Sequence, residues 1–215
     1  CLKYKAKLVF LDNVYMYADS EIPHMTENSR IAPPSKKGQV RAALHNMILQ
    51  AIQQKGLKAL IARSGDFYGP GVKNGMLSIT VQGEFKKGKS AYWQRNAHKI
   101  HTFTYTPDAA IGTAILGNTP DAYGEVWHLP TSDEKLTGKD FIEKIAAEMQ
   151  VKPKYYILSK FVMGLMGIFM PIVKEIREMS YQYDRDYIFD SSKFNKRFNF
   201  KPTTYAVGIP ASVAS

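Results

Sequence analysis

The sequence predicts an α/β fold built on a parallel sheet, and three stretches carry that expectation. Lys7 to Leu11 is a short apolar run bounded by polar residues, the pattern of a strand buried on both faces. Val40, Ala43, Leu44, Met47, Ile48 and Ala51 recur at helical spacing and define one face of a helix that ends near Gly56. Leu57 to Arg63 is a second apolar strand. Strand, crossover helix and strand in that order make a βαβ unit, whose two strands run parallel.

The other elements follow along the chain. A polar segment rich in Pro and Ser, Ala18 to Lys36, joins the first strand to the helix. After the second strand, Gly65-Asp66-Phe67-Tyr68-Gly69-Pro70-Gly71 reads as a loop. Thr106-Pro107-Asp108 supplies a cap, a proline at the first helical position and an acid at the positive end of the dipole, so a helix starts there and runs to Leu116. Val126 to Leu129 reads as a strand. Thr137-Gly138-Lys139-Asp140 caps a helix whose apolar face is Phe141, Ile142, Ile145, Ala146 and Met149. Lys152-Pro153-Lys154 separates that helix from a Met-rich stretch. From Phe189 to Pro202 the pattern is a short capped helix followed by an irregular tail, and no internal repeat is found.

Composition narrows the function classes. The 215 residues are enough for a sizeable core, and 45% hydrophobic with 22% charged residues excludes a wholly disordered chain. Cys1 stands alone and no Cys/His set has zinc spacing, which favours a reducing compartment and a cytoplasmic protein without a metal. No signal peptide is visible. Ile157 to Val173 is interrupted by Lys160 and Pro171 and falls short of a span of roughly 20 apolar residues, so it reads as a packing surface or lid and no membrane partner is expected. The excess of 29 Lys and Arg over 19 Asp and Glu, +10 in all, would suit nucleic acid, an acidic membrane or a phosphate-bearing small molecule. The cations are scattered, with only short clusters such as Lys86-Lys87-Gly88-Lys89, so nucleic acid is not the favoured partner.

Several landmarks then carry a resemblance. Leu8 to Tyr17 resembles the strand of extended short-chain dehydrogenase/reductases that ends in a catalytic Ser/Thr followed by Val-Tyr-Gly, and Leu60 to Pro70 resembles their later strand ending in Tyr-Gly-Pro. Thr104-Tyr105-Thr106-Pro107-Asp108-Ala109-Ala110 is similar to the start of their helix with an Asp-Val-Ala-type motif. Trp127-His128-Leu129-Pro130 and Leu136-Thr137 resemble the place where the substrate-binding part joins on. In this order the landmarks make the chain similar to the C-terminal two thirds of the NAD(P)-dependent sugar-nucleotide epimerases and dehydratases.

The resemblance implies a Rossmann-type doubly wound parallel sheet, incomplete at its N-terminus, with a smaller C-terminal substrate-binding part. Residues 1–71 would form the second half of the NAD(P)-binding domain. Residues 72–215 would be mainly the substrate-binding part, with segments around 100–130 returning to the sheet. The implied cofactor is NAD or NADP. Its glycine-rich loop is not found in the chain and is expected upstream of Cys1, in a further ~80 to 100 residues.

Site residues follow from alignment on the Val-Tyr landmark. The family's Ser/Thr position falls on Asn13, its catalytic Tyr on Lys37 and its Lys on Arg41. In the family the Tyr passes a proton, and i, i+4 spacing keeps it on one helical face with the cation. Asn13 offers an amide that can hydrogen-bond a substrate carbonyl. Arg41 stays charged and can hold ribose hydroxyls or phosphate. A cation beside Lys37 favours the neutral amine, which suits a proton-transferring lysine. Equally, Lys37 and Arg41 fit a solvated cationic helix face.

Tyr15 lies two residues after Asn13, on the same side of an extended chain, and either supplies the hydroxyl that Lys37 lacks or packs with its OH tied down. Tyr17 packs beneath the loop. Asp66, Phe67 and Tyr68 follow a strand at its carboxyl end, where open sheets bind ligands, and resemble the segment passing beside nicotinamide and substrate; a plain chain-reversing turn is the alternative. Arg63 fits either a substrate contact or, the favoured reading, a structural ion pair. His98, His101, Arg95 and Tyr105 could meet a substrate phosphate or carboxylate.

The resemblance thus implies an atypical epimerase/dehydratase-like oxidoreductase acting on a nucleotide-sugar or another small polar substrate. Asn13, Tyr15 and Lys37 would be catalytic, and Arg41, Asp66, Phe67 and Tyr68 cofactor-binding. A non-catalytic NAD(P)-binding sensor of the same fold is the alternative. The helix from Lys37 to Lys55 resembles one that pairs in homodimers, and its stripe would serve either a dimer or the sheet.

Overall fold

The computed structural model describes residues 1–169 and 177–215. Its central sheet has three parallel strands in the order β1 (Leu8–Asp12), β2 (Ala59–Arg63), β6 (Val126–His128). The helix α1 (Lys36–Lys55) is the crossover from β1 to β2. Ser35 caps it by accepting from the Gly38 amide at 3.0 Å, and Gly56 ends it in the left-handed conformation at φ 63°. Two further parallel pairs flank this sheet: β3 (Asp66–Tyr68) with β5 (Phe103–Tyr105), and β4 (Ala91–Gln94) with β7 (Tyr155–Leu158).

The helices that follow are α2 (Gly83–Lys86), α3 (Thr106–Asn118), α4 (Gly138–Glu148), α5 (Lys160–Phe169), α6 (Ser192–Phe198) and α7 (Tyr205–Val213). At α4 the sequence expectation and the structure coincide: Thr137 and Asp140 form a reciprocal capping box, and Phe141, Ile142, Ile145 and Ala146 are fully buried. α5 covers part of the apolar stretch, and the rest of it, up to Val173, lies outside the described residues. Among the described residues, no helix is long and apolar enough to cross a membrane.

Four local expectations change. β1 is not buried on both faces: it is an edge strand of the three-stranded sheet, with Leu11 51% exposed and only Asp12 buried. The stripe expected on α1 is rotated. Val40 and Met47 face solvent, while Gly38, His45 and Ile48 are buried, because α1 carries apolar residues on two sides and the sheet selects the side holding a polar anchor, His45. The Gly65–Gly71 loop contains a strand, β3, because β5 offers it a pairing edge. The expected irregular tail contains α7, whose Tyr205 and Ile209 are buried against the ring cluster of Tyr68, Phe103 and Phe141.

A buried polar web ties these elements together. Asp12 and Arg63 end β1 and β2 as register partners, and Arg63 is fully buried. Its Nη1 donates to the Tyr17 hydroxyl at 2.6 Å and its Nη2 to His45 Nδ1 at 2.8 Å, while Nε lies 3.9 Å from the Asp12 carboxylate. The Tyr17 hydroxyl is 2.7 Å from His128 Nε2, and His128 Nδ1 is 2.7 Å from the Asp190 carbonyl oxygen. A carbonyl can only accept, so His128 carries its proton on Nδ1, Nε2 accepts, and the Tyr17 hydroxyl donates to it. Hydrogen bonds thus join β2, β6 and α1, and the Asp12 ion pair adds β1.

Burial, with Arg63 close by, pushes His128 down to about 3 and His45 down to about 4. Gly38 completes the placement of α1: a Cβ there would run into the Tyr15 carbonyl oxygen and into Pro33. Only a glycine lets the helix start abut the turn after β1.

Two outcomes are expected. Unfolded histidines take a proton near 6.5, whereas the folded ones stay neutral down to about 3 and 4. Between those values the unfolded chain binds more protons, so stability is fully present above about pH 6.5 and is lost as pH falls towards 4. Urea unfolding should show a slope of about 1.4 kcal/mol per pH unit for each histidine in that window, and His128→Gln should remove one histidine's share. Gly38→Ala should lower stability by about 1–3 kcal/mol through overpacking, measured by the same unfolding experiment.

Candidate functional site

A cleft of about 930 Å³ opens at the carboxyl ends of β1 and β2 and beside the start of β3. Open α/β sheets bind ligands there because loops diverge from the strand ends and expose their side chains. Asn13, Tyr15, Lys37, Arg41, Asp66 and Phe67 all line it. Tyr68 does not. Its ring is buried at 5.3 Å from that of Tyr105 and 5.4 Å from that of Tyr205, in the core on the far side of β3. Alternation along β3 would put Tyr68 on the same side as Asp66, and its ring goes instead into the cluster of Phe103, Tyr105 and Tyr205.

The wall formed by β1 and α1 is basic. The Asn13 side-chain oxygen accepts from the Tyr15 backbone N–H at 3.0 Å, closing a local turn and leaving the amide N–H groups as donors. Arg41 Nη1 lies 3.5 Å from Asp12, whose carboxylate is wholly buried. Burial pushes the Asp12 pKa up, against the opposing pull of the Asn13 amide dipole and of Arg63 and Arg41. Asp12 is thus shared by a buried guanidinium behind it and a half-exposed one in front. Lys37 sits one turn before Arg41, its backbone N–H donating to Glu178 at 3.2 Å.

The opposite wall is built on β3. Two donors reach one oxygen of Asp66, Oδ2: the Tyr183 hydroxyl at 2.8 Å and His101 Nε2 at 3.0 Å. Burial raises the Asp66 pKa, and the bond and charge of His101 with the Tyr183 bond outweigh it, leaving it below the usual carboxylate value. Tyr15 lies between the walls. Burial, and then the Asp66 charge, push its pKa well above that of a free phenol, so it keeps its proton. Met76, Ile79, Leu158, Met163 and Met179 supply the apolar lining.

The group of His98, His101, Arg95 and Tyr105 is not brought together. Arg95 pairs with Asp184 at 3.0 Å, His98 is exposed, and His101 lies behind Asp66. Among the described residues no three His, Cys, Asp or Glu side chains are placed to hold a metal ion. Asp12, Tyr183 and Tyr187 line the cleft without having been singled out. Asp12 had a signal, a carboxylate closing an apolar strand; Tyr183 and Tyr187 had only a local density of tyrosines.

No family model and no curated protein sequence matches the chain. Solved structures do. The chain is similar to dTDP-glucose 4,6-dehydratase from Bacillus anthracis in complex with NAD, at a TM-score of 0.77 and 17% identity over 99% of this chain and 62% of that one. It is similar to UDP-glucose 4-epimerase from Thermus thermophilus in complex with NAD, at 0.76 and 17% over 100% and 65%. A third is UDP-glucuronic acid 4-epimerase from Bacillus cereus in complex with NAD, at 0.72 and 16% over 97% and 60%. The chain spans about three fifths of the length of these structures. What the likeness establishes is the architecture: this chain has the Rossmann-type α/β fold of the NAD-dependent epimerase/dehydratase structures.

Proposed function

We propose that the protein is an NAD(P)-dependent oxidoreductase of the epimerase/dehydratase type with an altered set of proton-moving residues, acting on a nucleotide-sugar or another small polar substrate. The observation that carries this is the convergence of Asn13, Tyr15, Lys37 and Arg41 on one cleft at the strand ends. The solved structures of similar fold, crystallised with NAD, support it. The cleft residues fit the nicotinamide end of such a cofactor: Arg41 offers ribose hydroxyls or phosphate a fixed cation that Asp12 holds in place, and Asp66 with Phe67 passes beside it. The bound dinucleotide supplies the hydride acceptor and donor.

This chain's own residues then handle orientation and protons. The Asn13 amide donates to the oxygen of the reacting carbon, the part a hydroxyl plays in the usual arrangement. Tyr15, which keeps its proton, is the hydroxyl donor beside it. Lys37 takes or returns the hydroxyl proton from the facing helix turn, with Arg41 four residues on as the permanent charge. The 1–71 and 72–215 division fits these roles, the first part holding the dinucleotide side and the second closing over the substrate.

A sensor that binds NAD(P)H without turning over is the second reading, supported by the replacement of the family's Tyr and Lys positions by Lys37 and Arg41. One experiment separates them: NADH and NADPH titrations of the full-length protein followed by fluorescence, with hydride transfer assayed across sugar nucleotides and small carbonyl compounds. Turnover supports the enzyme, binding without turnover supports the sensor, and failure to bind either dinucleotide removes both. For the enzyme, Lys37→Met should cut turnover about 100-fold and leave dinucleotide affinity within about twofold. Arg41→Leu should instead weaken dinucleotide binding by about tenfold, the loss of one charge-assisted contact.

A further inference from the structure

We propose that Asp66, held by His101 and Tyr183, selects the substrate of this cleft: it accepts a hydrogen bond from a hydroxyl of an uncharged polyhydroxylated ring and disfavours rings bearing a carboxylate. This rests on the oxidoreductase reading and deepens it.

The geometry is that of a built acceptor. His101 is almost wholly buried, and its ring lies between two tyrosine rings, 4.7 Å from Tyr183 and 4.2 Å from Tyr187, both within 7° of parallel. Backbone bonds pin the same position: the His101 N–H donates to Leu136, and its neighbour Thr102 donates to Tyr187, both at 3.0 Å. The imidazole therefore has a fixed direction, and its Nε2 meets Asp66 Oδ2. The Tyr183 hydroxyl meets the same oxygen. Among the described residues none donates to Oδ1, and the side chain keeps 18% of its surface in the cleft.

A carboxylate taken so far from water is costly unless it is paired. Here two donors on Oδ2 keep it in place and ionised, which leaves Oδ1 to accept from whatever fills the cavity. An ionised carboxylate accepts and cannot donate, so its complement is a hydroxyl or amine hydrogen. A second carboxylate brought to the same spot meets a like charge in a partly dry site. Arg41 and Lys37, the cations that line the cleft among the described residues, sit on the α1 wall, so charge recognition is split between the two sides.

UDP-glucose and UDP-glucuronic acid test this, because they differ only by a hydroxymethyl group against a carboxylate. Calorimetric titration of the protein should show UDP-glucose binding at least about tenfold tighter. Asp66→Asn, nearly the same shape without the charge, should bring the two within about twofold of each other. Asp66→Ser serves if that variant does not fold. Equal affinities in the unaltered protein, binding of neither compound, or a preference that survives the loss of the Asp66 charge would overturn the assignment. NADH titrated into the same samples reports on the oxidoreductase reading separately: a protein that discriminates between the sugars yet ignores NADH keeps the Asp66 assignment and loses the reading beneath it.

Discussion

The pairing of Asp12 with Arg63 across the ends of β1 and β2 is the constraint on which the rest of the site depends. Both side chains are buried, and a buried charge left alone costs several kcal/mol. The protein meets this by giving Arg63 the charge of the Asp12 carboxylate at 3.9 Å and two hydrogen-bond acceptors, the Tyr17 hydroxyl and His45 Nδ1. Each partner comes from a different part of the chain. One guanidinium thereby fixes the register of two strands, the rotation of α1 and, through Tyr17 and His128, the end of β6. Neither histidine can carry a proton there without meeting the same cation.

That buried pair also sets the electrostatics of the cleft. Asp12 faces Arg63 on its inner side and Arg41 on its outer side, so a guanidinium of the open cleft is anchored to a charge that is itself anchored in the core. Across the cavity Asp66 is held by donors of another kind, an imidazole clamped between tyrosine rings and a phenol. The two walls therefore differ in sign, with Tyr15 between them feeling both.

Some of this was legible residue by residue. Thr137 and Asp140 announced α4 because a capping box is a local device, complete within four residues. β2 was visible because five buried residues in a row leave an uninterrupted apolar run. The site positions Asn13, Lys37 and Arg41 were reached through a pattern of landmarks, and the structure brings them to one cleft because Gly38 lets α1 close on the turn after β1. Less legible were α1's orientation, since Val40 and Met47 make a stripe as good as the buried one, and α7, whose helix depends on the packing of Gly208 against the Tyr68 ring.

The sequence by itself determined what depends on short range: strand and helix periods, caps, the βαβ order and the residue types offered at the strand ends. Tertiary structure alone decided what depends on distant partners. It placed Tyr68 in the core and Asp66 in the cleft, although strand alternation gives them the same side, because the rings of Phe103, Tyr105 and Tyr205 surround Tyr68 while His101 and Tyr183 hold Asp66. It joined Asp66 to His101 and Tyr183 from 35 and 117 residues away, and Arg63 to Tyr17 from 46. Such contacts leave no periodic trace, because each is set by how whole elements pack rather than by spacing along the chain.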